Sequence, residues 1–130
     1  MSGASKSVTL DAGALIALEK NDERIRALFD RALSRNAVRA FVPAGVVAQV
    51  WRGGSKQARL AILLSDPATT VVPLDSERAQ AAGVLCGFAR TSDIVDASVV
   101  LCARENSTTI ITSDPQDMAR LDPSARIVAL

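Results

Sequence analysis

Short runs of β-branched and apolar residues alternate along this chain with longer stretches whose apolar positions recur at helical spacing. Val8–Leu10 reads as a first strand, and Ala12–Glu19 as a helix with Ala14, Leu15, Ala17 and Leu18 turned inward. Asn21 or Asp22 is placed to cap a second helix to about Ser34, with Ile25, Leu28, Phe29, Ala32 and Leu33 on one face. Arg39–Val42 is a short strand. Pro43 suits the first turn of the next helix, where its missing N–H costs nothing, and Val46, Val47, Val50 and Trp51 follow. Gly53–Gly54 breaks that helix, and Lys56–Leu64 forms another. Thr69–Leu74 is a strand ended by Pro73, and Asp75 caps a helix over Ser76–Ala89. Ser92 or Asp93 starts a helix through Glu105. Thr108–Thr112 is a strand, a short helix begins at Pro115, and "ARIVAL" closes the pattern as an edge strand.

The order β-α-α-β-α-α-β-α-α-β-α-β predicts an α/β fold: a small, mostly parallel sheet of about five strands flanked by helices on both faces. No repeat, low-complexity tract or linker interrupts it. Residues 1–130 are expected to form a single domain, with 1–6 a flexible N-terminal extension. Ligands of such sheets collect beyond the carboxyl ends of the strands. Two predicted strands end there on an aspartate, "VTLD" at Asp11 and "IITSD" at Asp114.

Composition narrows what those acids can do. The 130 residues contain no histidine and no tyrosine. Catalysis by Ser-His-Asp or Cys-His, zinc held by imidazole and imidazole acid–base work are therefore excluded. Carboxylates are the best reagents left, and they suit Mg²⁺ or Mn²⁺. A net charge of +1 gives no strong global field for nucleic acid, and aromatics at 3% argue against a site of stacked rings. Cys86 and Cys102 lie in apolar surroundings and read as small core residues. No signal peptide and no membrane-length run is visible, so a cytoplasmic protein is expected.

Each acid also has a structural explanation. Asp11, Asp93 and Asp114 can cap helices, and Asp117 is a first-turn acid favoured by the helix dipole. Asp96 is harder to explain so, because it falls about a turn into the apolar "IVDASVVLCA". Burial there without a cation or donors would cost several kcal/mol. Asp93 and Asp96, three apart, share a helix face. Converging carboxylates repel until a divalent cation turns the repulsion into coordination, and such an ion can activate water against a phosphodiester.

The blocks "VTLDAGALIAL", "VPAGVVAQVWRGG", "DIVDASVVLCAREN" and "IITSDPQDM" together resemble the PIN-domain ribonucleases, and among them the VapC toxins of bacterial toxin–antitoxin pairs. The resemblance spans nearly the whole chain and implies a PIN-like fold. It also implies Mg²⁺- or Mn²⁺-dependent cleavage of RNA, often transfer or ribosomal RNA, a VapB-like antitoxin partner, and a homodimer. By resemblance the metal-binding and catalytic acids are Asp11, Asp96 and Asp114, with Thr112 as the threonine of the strand-end motif. Asp93 and Asp117 lie where accessory acids occur. The family's helical glutamate falls on Gln49, which can still offer a carbonyl oxygen but brings no charge; a member that binds RNA or protein without turnover is the alternative. Arg52, Lys56 and Arg59, around the glycine break, are candidates for RNA phosphates or simply a solvated face. The apolar helices within Ala12–Leu33 are mainly core, and by resemblance part of them borders the groove for an antitoxin helix.

Overall fold

The computed structural model describes residues 7–27 and 39–130. The expected helix beyond residue 27 and the extension at 1–6 lie outside these residues. The elements are β1 (Val8–Leu10), α1 (Ala12–Glu19), α2 (described over residues 23–27), β2 (Ala40–Pro43), α3 (Ala44–Val50), α4 (Ala58–Ser65) and β3 (Thr69–Val72). They continue with α5 (Ser76–Ala89), α6 (Ile94–Asn106), β4 (Thr109–Thr112), α7 (Pro115–Leu121) and β5 (Ile127–Ala129).

All five strands are parallel, in the order β3-β2-β1-β4-β5. The order reverses direction at the seam between β1 and β4, where Leu10 lies opposite Ile111. Right-handed crossovers then put α1–α4 on one face and α5–α7 on the other. Leu10, Val42, Ile110 and Ile111 fill the sheet's interior, and Leu15, Val46, Leu60, Val99, Val100 and Met118 cover it from the helices. Full burial of such a side chain contributes about 1.5–3 kcal/mol. With few aromatics, α5 meets α6 through the small residues Ala82, Cys86 and Ala97. Both cysteines are buried and free. Among the described residues no helix is long and apolar enough to cross a membrane.

Several boundaries shift from the sequence expectation, and three of the shifts have a clear physical cause. Pro43 ends β2 and precedes α3 with extended backbone, ψ 141°, so the helix starts one residue later. Residues 55–57 form a 3-10 turn before α4, because the Gln57 side chain stitches this loop together. β3 stops at Val72, ahead of Pro73, which has no N–H for the ladder.

Candidate functional site

The seam between β1 and β4 holds the first acids. Asp11 follows β1 and is only 3% exposed. Its Oδ1 accepts from the Ala14 N–H at 2.8 Å, capping α1, and its Oδ2 accepts from the hydroxyl of Thr112 at the end of β4. Thr112 Oγ1 accepts in turn from the Asp114 N–H at 2.8 Å. A continuous chain, Asp11–Thr112–Asp114, thus ties the two strand ends. Burial pushes the Asp11 carboxyl above its usual range, and the nearby Asp114 adds to the rise; the Thr112 and Ala14 hydrogen bonds oppose it. Asp114 stands at the N-cap of α7, yet its carboxylate makes no capping bond. Capping therefore explains Asp11 in part and leaves Asp114 unexplained.

The second group comes from α6 and α7. Asp93 caps α6, its Oδ1 accepting from the Asp96 N–H at 3.0 Å. Asp96 lies in the first turn of α6, earlier in its helix than the sequence suggested, where the dipole favours its charged form. Its pKa is nonetheless raised to about 7, by burial first and then by Asp93, Asp117 and Asp11. Asp93, Asp96 and Asp117 line one cleft of about 90 Å³ together with Thr91 and Arg120. None of these five aspartates has an ion-pair partner among the described residues.

The acids predicted from sequence thus fall into one electrostatic neighbourhood: Asp11 is influenced by Asp114, and Asp96 by Asp11, Asp93 and Asp117. They do not form a ready cage. Among the described residues no three carboxylate or thiol side chains are grouped closely enough to hold an ion as they stand. In donor chemistry the set fits a hard divalent cation, being all oxygen and carrying accumulated charge, with Arg120 at the cleft but no ion pair to these acids among the described residues.

Gln49 is exposed near the end of α3. Gly45, one turn earlier on the same face, faces the first turn of α6, where a Cβ would lie 3.5 Å from Val95 Cγ2. Gln49 thus lies on the side of α3 that packs toward α6, and among the described residues it makes no hydrogen bond to an acid. Arg52, Lys56 and Arg59 are exposed on the segment after α3 and are not among the groups that move the Asp11 or Asp96 carboxyl. Arg52 caps the end of α3, its guanidinium donating to the carbonyls of Trp51 (2.8 Å) and Ala48 (3.4 Å).

The PIN domain profile matches residues 8–122. This chain belongs to the PIN domain family. No curated protein sequence matches it. Among solved structures, this PIN domain is similar to a chain of VapBC2 from Rickettsia felis bound to a promoter DNA fragment, with a TM-score of 0.66 and 12% identity over 95% of this chain and 98% of that one. It is also similar to a chain of FitAcB from Neisseria gonorrhoeae, with a TM-score of 0.64 and 19% identity over 92% and 95% of the two chains. A chain of FitAB bound to the IR36 DNA fragment gives 0.65 and 18%, covering 94% of each.

Two residues of the PIN domain's site were not visible as such in the sequence. A Cβ on Gly13 would lie 2.0 Å from Ser113 Oγ and 2.9 Å from Ser113 Cβ, so only glycine lets the start of α1 approach the β4–α7 loop. Arg120 lines the acidic cleft, and its spacing of three from Asp117 on a short helix was the available signal.

Proposed function

We propose that this PIN domain is a divalent-metal-dependent endoribonuclease, acting in the cytoplasm as the toxin of a toxin–antitoxin pair. The observation that carries this reading is the half-buried Asp96, which shares a cleft with Asp93 and Asp117 and has no ion-pair partner among the described residues, so that burial and its neighbours raise its pKa to about 7. Mg²⁺ or Mn²⁺ would be held by Asp11, Asp96 and Asp114, with Asp93, Asp117 and the Gln49 carbonyl as further oxygen donors. When bound, the ion supplies a lowered water pKa and neutralisation of developing phosphate charge.

The chain's own groups prepare that chemistry. Thr112 fixes one oxygen of Asp11 and the Ala14 N–H the other, and each oxygen has a second lone pair to offer. Asp96, its pKa raised to about 7 by burial and its acidic neighbours, would hold the ion through its ionised carboxylate. The cations Arg52, Lys56 and Arg59 are the candidates for backbone phosphates of the RNA, tRNA or rRNA by family likeness. A VapB-like antitoxin is the expected partner by family resemblance, and the similar chains belong to VapBC2 and FitAB.

The test is cleavage of total RNA with Mg²⁺ or Mn²⁺. Asp96→Asn should abolish cleavage, and Asp66→Asn, at the far end of α4, should retain it; equal activity in the two variants removes the mechanism. A second reading, a PIN-fold binding module without turnover, is favoured by the uncharged Gln49 and by the lack of a preformed cage among the described residues. Calorimetry with Mn²⁺ separates the two: binding that disappears in Asp11→Asn supports the enzyme, and no binding supports the module.

A further inference from the structure

We infer that Trp51 is a base-stacking residue: a single strand of RNA lays one base on its indole, and cations of the same loop take the neighbouring phosphates. This role rests on the nuclease reading above and adds to it the side chain that grips a base. Residues 51–56 are all exposed, and Trp51 is 40% exposed where the chain leaves α3. A large ring so placed is either a loose end of the fold or a platform. The hydrogen bonds of the loop decide for the platform.

Gln57, only 6% exposed, holds this loop from beneath. Its Oε1 accepts from the Arg52 and Gly53 N–H groups at 2.8 and 3.0 Å. Its Nε2 donates to Glu19 Oε1 at 2.7 Å and to the Val50 carbonyl at 2.8 Å. Both lone pairs and both protons of the amide are thereby used. Gly53 turns the chain with φ 79°, the left-handed region that glycine enters readily. A Cβ there would lie 3.7 Å from Trp51 Nε1, so one edge of the indole lies against the turn while the residue stays open to solvent. The surface is exposed but its backbone is fixed, so little ordering entropy is lost when a ligand arrives.

Charge around the ring favours a polyanion. Between Trp51 and Ser65 the chain carries Arg52, Lys56 and Arg59, all exposed, and no acid. Glu19, which meets this segment from α1, is engaged by Gln57. An aromatic face among cations is the combination that binds single-stranded nucleic acid, the base on the ring and the phosphates on the cations. A duplex keeps its bases stacked inside and offers the ring no face. One ring serves one base, which is all that a chain so poor in aromatics can do. The start of α3 packs against Val95, the neighbour of Asp96. Trp51 follows Gly45 by six residues, roughly 9 Å along the helix axis, so a short strand reaches from the indole to the acids.

Trp51 is the one tryptophan of a chain without tyrosine, so tryptophan fluorescence reads this position alone. In EDTA at low salt, an oligoadenylate of about ten nucleotides should quench the emission, and a ribose-phosphate chain of the same length without bases should not. Polyglutamate, an acidic polypeptide, should also leave it unchanged. Trp51→Ala should weaken binding of a labelled oligoadenylate roughly tenfold by fluorescence anisotropy, with far-UV circular dichroism unchanged, and Trp51→Phe should recover most of it. Ile62→Ala, at an exposed apolar position on α4, should bind as the wild type does. Absence of quenching, equal quenching by the base-free chain or by polyglutamate, or undiminished binding by Trp51→Ala would overturn the assignment. Neither measurement needs metal or turnover, so the two readings fail separately. Cleavage without quenching leaves the nuclease and removes the stacking, and quenching without cleavage does the reverse.

Discussion

The Thr112 hydroxyl donates to the buried Oδ2 of Asp11 across the β1–β4 seam and, through the same oxygen, accepts the Asp114 N–H. One side chain therefore sets the positions of two acids on different elements. Thr112→Val keeps the shape and removes both bonds, leaving a buried carboxylate oxygen without its donor. A loss of roughly 1–3 kcal/mol in urea denaturation is expected. Thr112→Ser should recover most of it, and equal losses in the two variants would show that packing, not the hydroxyl, matters here.

Gly13 holds the other side of the seam. Gly13→Ala places a methyl 2.9 Å from Ser113 Cβ, which rotation of the serine side chain cannot relieve. The expected cost is about 1–3 kcal/mol. Ser113→Gly removes the obstructing atoms, so the double variant should be more stable than Gly13→Ala alone. Additive losses in a double-mutant cycle would mean that the two positions do not press on one another.

The seam was legible in the sequence because it depends on local signals: β-branched runs that stop at an aspartate, helices that follow, and the strand alternation that forces a parallel sheet. Asp75, Asp93 and Asp11 announced themselves as caps and do cap. What could not be read were relations across the chain. Gln57 looked like one more helix residue, yet it is buried. It accepts from the Arg52 and Gly53 N–H groups and donates to Glu19 and the Val50 carbonyl, thereby shaping the turn before α4. Asp93 was readable as the cap of α6, which puts Asp96 in the first turn; the sequence did not show that Asp96 is nonetheless half-buried beside Asp93 and Asp117. The spread of the carboxylates was equally hidden, since spacing along a chain says which strand ends neighbour one another but not how close their oxygens come.

Gln49 offers a gain-of-charge test of that spread. Gln49 lies one turn beyond Gly45, which packs against Val95 of α6, so Gln49→Glu is expected to add a carboxylate near acids that have no ion-pair partner among the described residues. Without metal the variant should be less stable than wild type. With Mn²⁺ it should bind about tenfold tighter, roughly 1.4 kcal/mol, by calorimetry. Unchanged affinity would place residue 49 outside the ion's coordination.

Asp96 also makes stability depend on pH in a direction that most carboxylates do not. Its folded pKa of about 7 lies above the value of 3.8 expected when unfolded, so between these limits the folded chain binds more protons. Stability must then fall as pH rises through that window. The raised Asp11 acts in the same sense, whereas Asp22 and Asp122, both lowered, lose their contribution only as pH drops through the acid range. A tenfold difference in proton affinity between the folded and unfolded chain corresponds to about 1.4 kcal/mol. Solvent reaches this half-buried carboxyl and weakens the effect, leaving about 1–2 kcal/mol between roughly pH 5 and pH 8. Urea denaturation should show the wild type more stable at the lower pH, and Asp96→Asn should flatten the difference. Because an ion competes with the same proton, Mn²⁺ should stabilise the wild type at the higher pH and much less at the lower one. A profile that instead rises with pH in the absence of metal would mean that Asp96 is relieved by a cation in the folded chain, and the carboxylate crowding at the seam would lose its main support.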